Sequence, residues 1–221
     1  MKAMILAAGR GSRMGSLTAD IPKPLINLDG LTLIEHNILK LKQAGIQEIF
    51  INISYLGHKI KDFLGSGKNY GLKIKYLDEL DNVLGTGGGV LNALSFIGNE
   101  PFWLINADVY SDYIIPKKFK LKKSFIGHLI LVPNPEHHTN GDFFLSQNIV
   151  KYSNKKRPFT FSGMSFISPL LFNNIFKKKF PLEPLLDYMA KNNRLSGEVY
   201  DGVWSDIGSQ ARLNAMKRKL K

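Results

Sequence analysis

The chain has 221 residues, of which 44% are hydrophobic, 11% aromatic and 22% charged, enough apolar material for one buried core and too little length for two full domains. That composition excludes a disordered, collagenous or low-complexity chain, and the absence of cysteine excludes a disulfide framework, cysteine-ligated zinc or iron–sulfur sites and a thiol nucleophile. The formal charge of +12 is lopsided: residues 1–114 balance 11 Lys/Arg against 11 Asp/Glu, whereas residues 115–221 carry 19 against 7. Half of the 30 basic residues fall in four short runs, Lys117–Lys123, Lys155–Arg157, Lys177–Lys179 and Lys217–Lys221. Such runs beside apolar or proline-containing segments read as solvated loops and helix ends. No zinc-finger spacing, helix-turn-helix or aromatic-interleaved strand accompanies them, so nucleic acid is not an expected partner.

From the amino terminus, Lys2–Ala7 is the first predicted strand. Its apolar stretch, Ala3 to Ala8, is broken by Gly9-Arg10-Gly11. That is shorter than the about 7 to 15 residues of a secretory core or the about 20 that span a bilayer, so a cytoplasmic protein without a membrane partner is expected. Leu33, Ile34, Ile38, Leu41 and Ala44 then recur at helical spacing and stop at Gly45. Strand Glu48–Ser54 follows, then a helix carrying Ile60, Phe63 and Leu64 up to Gly65, and strand Lys73–Leu77. A third helix is predicted to start in Gly87-Gly88-Gly89 and to carry Val90, Leu91 and Leu94, before strand Phe102–Asn106. Beyond Asp108 the pattern loosens into strands Leu129–Val132, Phe143–Leu145, Ile149–Tyr152 and Phe161–Ile167, helices around Leu170–Ile175 and Pro184–Ala190, an extended piece at Val199–Trp204 and a last helix after Ser209. The alternation predicts an α/β protein with a mostly parallel sheet flanked by helices, one domain over residues 1–221. Its front half, 1–114, is of nucleotide-binding type.

The first chemical signal is Ala7-Ala8-Gly9-Arg10-Gly11-Ser12-Arg13-Met14 at the end of the first strand. Glycines there let consecutive backbone N–H groups face an anion, most often phosphate, because they tolerate positive φ and bring no Cβ. No Gly-Lys-Ser/Thr follows, which excludes a Walker loop, and Met14 stands where a dinucleotide fingerprint needs its third glycine. A tight connection is the plain alternative. Pro22-Lys23-Pro24-Leu25 shifts the balance, since a lysine between two prolines has restricted backbone and presents its ammonium at a defined place. Lys23, Arg13 and the loop amides then converge on one polyphosphate.

These two segments together resemble the signature of the sugar-1-phosphate nucleotidyltransferases, enzymes with a Rossmann-like (GT-A-like) α/β fold. The resemblance continues in Leu84-Gly85-Thr86-Gly87-Gly88-Gly89, which in such enzymes lies against the nucleobase, in Asn106-Ala107-Asp108, and in Trp204-Ser205-Asp206-Ile207-Gly208. It implies Mg²⁺ on Asp108 and Asp206, and nucleotide contacts from Gly11, Ser12, Arg13, Lys23, Gly87 and Gly88. Physical chemistry agrees on the aspartates: Asp108 ends an apolar strand where open α/β sheets bind ligands, and a nucleoside triphosphate needs magnesium held by one or two carboxylates. Helix capping is the alternative for both.

Asn134-Pro135-Glu136-His137-His138-Thr139-Asn140-Gly141-Asp142-Phe143, with Phe161-Ser162-Gly163 and Ser196-Gly197-Glu198, resembles the N-acetylmuramate α-1-phosphate uridylyltransferase branch, which serves peptidoglycan recycling. The Glu-Lys-Pro lysine of the larger thymidylyl- and glucose-type members is absent. The resemblance assigns sugar contacts to Asn106, Asp142 and Glu198, and it implies a sugar-binding half at 115–221 and the substrates UTP and N-acetylmuramate 1-phosphate. For His137-His138 a zinc site with Asp142 is the tempting alternative, but adjacent side chains diverge, so loop packing or a sugar contact is expected. Trp103 and Trp204 are expected in the core or pocket wall. The thirteen residues after Gly208 leave no room for the left-handed β-helix of bifunctional relatives, so monofunctional transfer is expected; separately, a monomer is expected. Guanylyl transfer to mannose- or heptose-1-phosphate, cytidylyl transfer to phosphocholine, a non-catalytic sensor and a basic nucleic-acid module are the other readings.

Overall fold

Ile- and Phe-rich strands build the centre of the molecule, because branched and aromatic side chains pack well on a sheet covered on both faces. The structure, a computed structural model, describes every residue except Asp81 and Lys156, so Lys156 of the predicted basic run Lys155–Arg157 lies outside the described residues. In chain order the elements are β1 (Lys2–Leu6), β2 (Asn27–Leu28), β3 (Leu31–Thr32), α1 (Leu33–Gln43), β4 (Glu48–Ile53), α2 (Gly57–Leu64), β5 (Lys73–Asp78), α3 (Gly85–Ile97), β6 (Phe102–Asn106), β7 (Val109–Ser111), β8 (Gly127–Pro133), β9 (Phe144–Ser146), β10 (Ile149–Lys151), β11 (Phe159–Ile167), α4 (Glu183–Lys191), β12 (Leu195–Val199), β13 (Trp204–Asp206) and α5 (Gln210–Lys219).

One sheet of nine strands runs in the order β5-β4-β1-β6-β11-β8-β12-β10-β9. Pairing is parallel from β5 through β6 and between β8 and β12, and antiparallel elsewhere, so β11 and β10 alone oppose the common direction. This is the mixed, mostly parallel Rossmann-like sheet expected from the sequence. The strand order reverses at β1, the kind of switch point outside which open α/β sheets hold their ligands.

Helices α1 and α2 bury Ile34, Ile38, Leu41, Ile60 and Leu64 on one face of the sheet, against Ile5, Ile49, Ile51 and Trp103. On the other face α3 and α4 set Val90, Ala93, Ile97, Leu186 and Ala190 against Met4, Phe50, Phe102 and Leu104. A third cluster of Met14, Leu28, Leu33, Ile207, Leu213 and Met216 fastens α5 to the segment after β1. Among the described residues no helix is long and apolar enough to cross a membrane.

The structure redraws some boundaries. The predicted helix at Leu170–Ile175 is a 3-10 turn, Pro169–Phe172, ended where Asn174 turns to positive φ. Helix α3 starts at Gly85, two residues before the glycine run. Val199–Trp204 is not continuous, since β12 ends at Val199 and β13 starts at Trp204. Phe63 faces outward at 47% exposure, because Ile60 and Leu64 already take the buried side of α2.

At the start of α1, Thr32 and Glu35 form a capping box: Glu35 N–H donates to Thr32 Oγ1 at 3.3 Å and Thr32 N–H donates to Glu35 Oε2 at 2.8 Å. Thr32→Ala is expected to lower stability by about 1 kcal/mol, seen as a lower urea midpoint at an unchanged m-value. Burial pulls the Glu35 pKa up, but hydrogen bonds from Thr32 and Tyr70 outweigh it and hold the carboxyl below its ordinary value. A depressed carboxyl stabilises above its unfolded pKa, so this contribution fades as pH falls through the folded value.

Candidate active site

The switch point opens into a cleft of about 320 Å³ lined by the Ala7–Arg13 turn, Lys23, Gly85, Thr86, Asn106 and Asp108, among others. The turn keeps its shape through Gly11, at φ +70°, where a Cβ would also lie 3.0 Å from Lys23 Cβ. Met14 N–H and Thr18 Oγ1 both donate to Gly11 O, at 2.9 and 3.1 Å, which leaves Ser12 and Arg13 exposed at the cleft. Lys23 opens a proline-flanked 3-10 turn and is buried, 8% exposed, with its Nζ donating to the Asp108 carboxylate. The rigid turn was expected from the two prolines; the ion pair was not.

Backbone pairing brings the two aspartates together. Ala107 N–H donates to Leu6 O at 3.0 Å, setting Asp108 just past the end of β6. β13 then runs antiparallel to β7 with Asp206 opposite Val109, and Ile207 N–H donates to Asp108 O at 2.8 Å. Arg212, on the first turns of α5, holds Asp206: its Nη1 lies 2.7 and 2.6 Å from the two carboxylate oxygens. His137 Nε2 approaches Asp206 Oδ1 at 3.1 Å and Arg212 Nη1 at 2.6 Å. Gly208 makes room for this clasp, since a Cβ there would collide with Arg212 Nη2. Among the described residues no three His, Asp or Glu side chains gather as a metal cage. Of the two aspartates Asp108 lines the cleft, while Asp206 is turned to Arg212 and His137; carboxylates at these two positions suit a hard divalent cation that takes its other ligands from phosphate and water.

The remaining predicted residues have particular surroundings. His138 turns away from His137 to Asp142 Oδ1 at 2.7 Å, and Phe161 N–H donates to Asp142 Oδ2 at 2.8 Å. Glu198 accepts from the Tyr113 hydroxyl, whose pKa burial and that bond push up, and it does not line the cleft. Asn106 does line it. Gly87 and Gly88 do not: their N–H groups donate to Phe180 O at 3.0 and 3.1 Å, and a Cβ would strike the Phe180 ring at the first position and Lys178 O at the second. Phe180 N–H in turn donates to Leu84 O at 3.0 Å, and Leu182 N–H to Thr86 Oγ1 at 2.8 Å, so residues 178–182 back the first turn of α3, the segment expected against the nucleobase. Trp103 is wholly buried, while half-buried Trp204 donates from Nε1 to Ser162 O at 2.9 Å. Three residues of the site escaped the sequence reading: Asn52 and Glu79, which line the cleft, and Arg212.

A glycine turn, a rigid lysine and a strand-end carboxylate at a switch point define an enzyme of phosphate chemistry. The chain belongs to the nucleotidyl transferase family, whose profile matches residues 2–141, and it is of the sugar-1-phosphate nucleotidyltransferase class. It is 41% identical over 220 residues to an N-acetylmuramate alpha-1-phosphate uridylyltransferase of Neisseria meningitidis serogroup B, covering 96% of this chain and 95% of that one. It is 29% identical to a D-glycero-alpha-D-manno-heptose 1-phosphate guanylyltransferase of Campylobacter jejuni, covering 94% and 95%. The structure superposes on that of HddC from Yersinia pseudotuberculosis in complex with GMP-PN with a TM-score of 0.81 at 25% identity, covering 100% and 99%.

Proposed function

We propose that this chain transfers the uridylyl group of UTP to N-acetylmuramate α-1-phosphate, giving UDP-N-acetylmuramate and pyrophosphate, with Mg²⁺ as cofactor, in the cytoplasm and in the service of peptidoglycan recycling. The observation that carries the reading is the 134–143 segment: it resembles the muramate branch, His138 fixes it internally to Asp142, and His137 ties it to Asp206. The 41% identity to a uridylyltransferase over nearly the whole of both chains supports the same branch.

The attacking group is an oxygen of the sugar phosphate, which displaces pyrophosphate in line at the α-phosphorus of UTP. Because such a phosphate has its second pKa near ~6, it is mostly dianionic at neutral pH and requires no general base. The protein's part is therefore position and charge. Lys23 turns from Asp108 to the α-phosphoryl oxygens, while Arg13 and the Gly11 and Ser12 amides hold the leaving pyrophosphate. Asp108 and Asp206 would hold Mg²⁺, which when bound neutralises charge on the phosphates. Gly85 and Thr86 border the base, with Gly87 and Gly88 packed behind them, and Asn106 and Asp142 meet the sugar. All these groups come from one chain, so one domain acting as a monomer suffices, with 1–114 on the nucleotide side and 115–221 on the sugar side.

Pyrophosphate release, with the four nucleoside triphosphates crossed against N-acetylmuramate-, N-acetylglucosamine-, glucose- and mannose-1-phosphate, tests the reading. Magnesium-dependent turnover with UTP and the muramate should exceed every other pair. A guanine nucleotide preferred with mannose phosphate would move the chain to the guanylyl relatives, and no release from any pair would favour the sensor.

A further inference from the structure

Asn52 and Glu79 are buried polar side chains that none of the steps above employs. Asn52 interrupts the apolar end of β4 and is 3% exposed, and Glu79 follows β5 at 6%. Asn52 Oδ1 accepts from Ala7 N–H at 2.9 Å, Asn52 Nδ2 donates to Glu79 Oε1 at 2.7 Å, and Glu79 Oε2 accepts from Leu84 N–H at 2.8 Å. Among the described residues no cationic side chain pairs with Glu79. A Cβ on Gly89 would lie 2.7 Å from Asn52 Nδ2 and 2.8 Å from Glu79 Oε1, so the third glycine of the run is where the relay needs its space.

Ala7 opens the glycine turn and Leu84 is the N-cap of α3, whose first turn holds Gly85–Gly89. We propose that Asn52 and Glu79 are positioning residues, a hydrogen-bond relay of fixed polarity that locks the phosphate-facing turn to the base-facing first turn of α3 so that a nucleotide meets both at a set separation. The consequence for turnover rests on the uridylyl-transfer reading; the relay itself does not. Its polarity is set by its ends. Both termini are backbone N–H donors, so the two side chains between them must present an acceptor outward at each end and one donor between them. Glu79→Gln breaks this rule, because whichever way the two amides turn, either two NH₂ groups face each other or one faces a backbone N–H. Combining Asn52→Asp with Glu79→Gln restores it. The carboxylate then at position 52 accepts from Ala7 N–H, the amide then at position 79 donates to that carboxylate and accepts from Leu84 N–H, and the net charge is unchanged.

The test compares wild type, Glu79→Gln and the double swap by amide hydrogen exchange at Ala7 and Leu84 without nucleotide, and by steady-state kinetics in UTP. Glu79→Gln should speed exchange at one or both amides and raise KM for UTP about tenfold with kcat within about threefold, as expected when positioning is lost equally from ground and transition states. The swap should bring exchange and KM back toward wild type. Wild-type exchange and KM in Glu79→Gln, or a swap as impaired as the single variant, would overturn the proposal. If Glu79→Gln does not fold, the swap decides: protection of both amides supports the relay, and an unfolded or unprotected swap overturns it. Should wild type leave UTP untouched, the function reading fails, while the exchange comparison still decides the relay.

Discussion

Asp108→Asn is expected to lower kcat by roughly 10² to 10³, the cost typical of removing one preorganised charge-stabilising group from an active site. The substitution keeps the shape of the side chain and an oxygen able to accept from Lys23, so a loss of turnover would not reflect a loss of fold. The two are separated by measuring pyrophosphate release beside the thermal melting midpoint. Unchanged melting with lost turnover places the charge of Asp108 in the chemistry, and a wild-type rate would remove it from the site.

Lys23→Ala should lose turnover by a similar factor, about 10² to 10³, and Lys23→Arg should not rescue it. A broad planar guanidinium does not reproduce the compact ammonium that the proline-flanked turn presents to Asp108. Because Lys23 and Asp108 are bonded to each other and act on one nucleotide, Lys23→Ala combined with Asp108→Asn should cost far less than the product of the single losses. The comparison uses kcat/KM of the four proteins. Losses that simply multiply would mean that the two residues act independently.

The parts legible in the sequence were those whose neighbours in space are neighbours along the chain. β1, its glycine turn and the Pro22–Pro24 element follow from local spacing, and Asp108 stands at the end of an apolar run. Asn52 and Glu79 were missed because they lie 27 positions apart and meet only when β4 pairs with β5. One clue was available: an Asn inside Ile51-Asn52-Ile53 is a polar group in a buried strand and must find partners. Arg212 reads as an ordinary helix-surface residue until Asp206 is placed six residues before it at the foot of α5. The short helix expected at Leu170–Ile175 failed for another reason, since Pro169 and the left-handed Asn174 outweigh apolar periodicity over so few residues. Gly87 and Gly88 are nucleotide contacts by resemblance alone; that their N–H groups meet Phe180 O, far along the chain, is not readable from local spacing.

Phe180 also bears on how such a chain can change. On the proposed reading the first turn of α3, which borders the base, is moored to residues 180–182, in the half assigned to the acceptor. Donor choice and acceptor choice therefore share a seam. A lineage that reshapes residues 178–182 also re-anchors Thr86 and the first turn of α3, so changes in one half carry into the other, and grafting either half onto a stranger leaves the join unmatched.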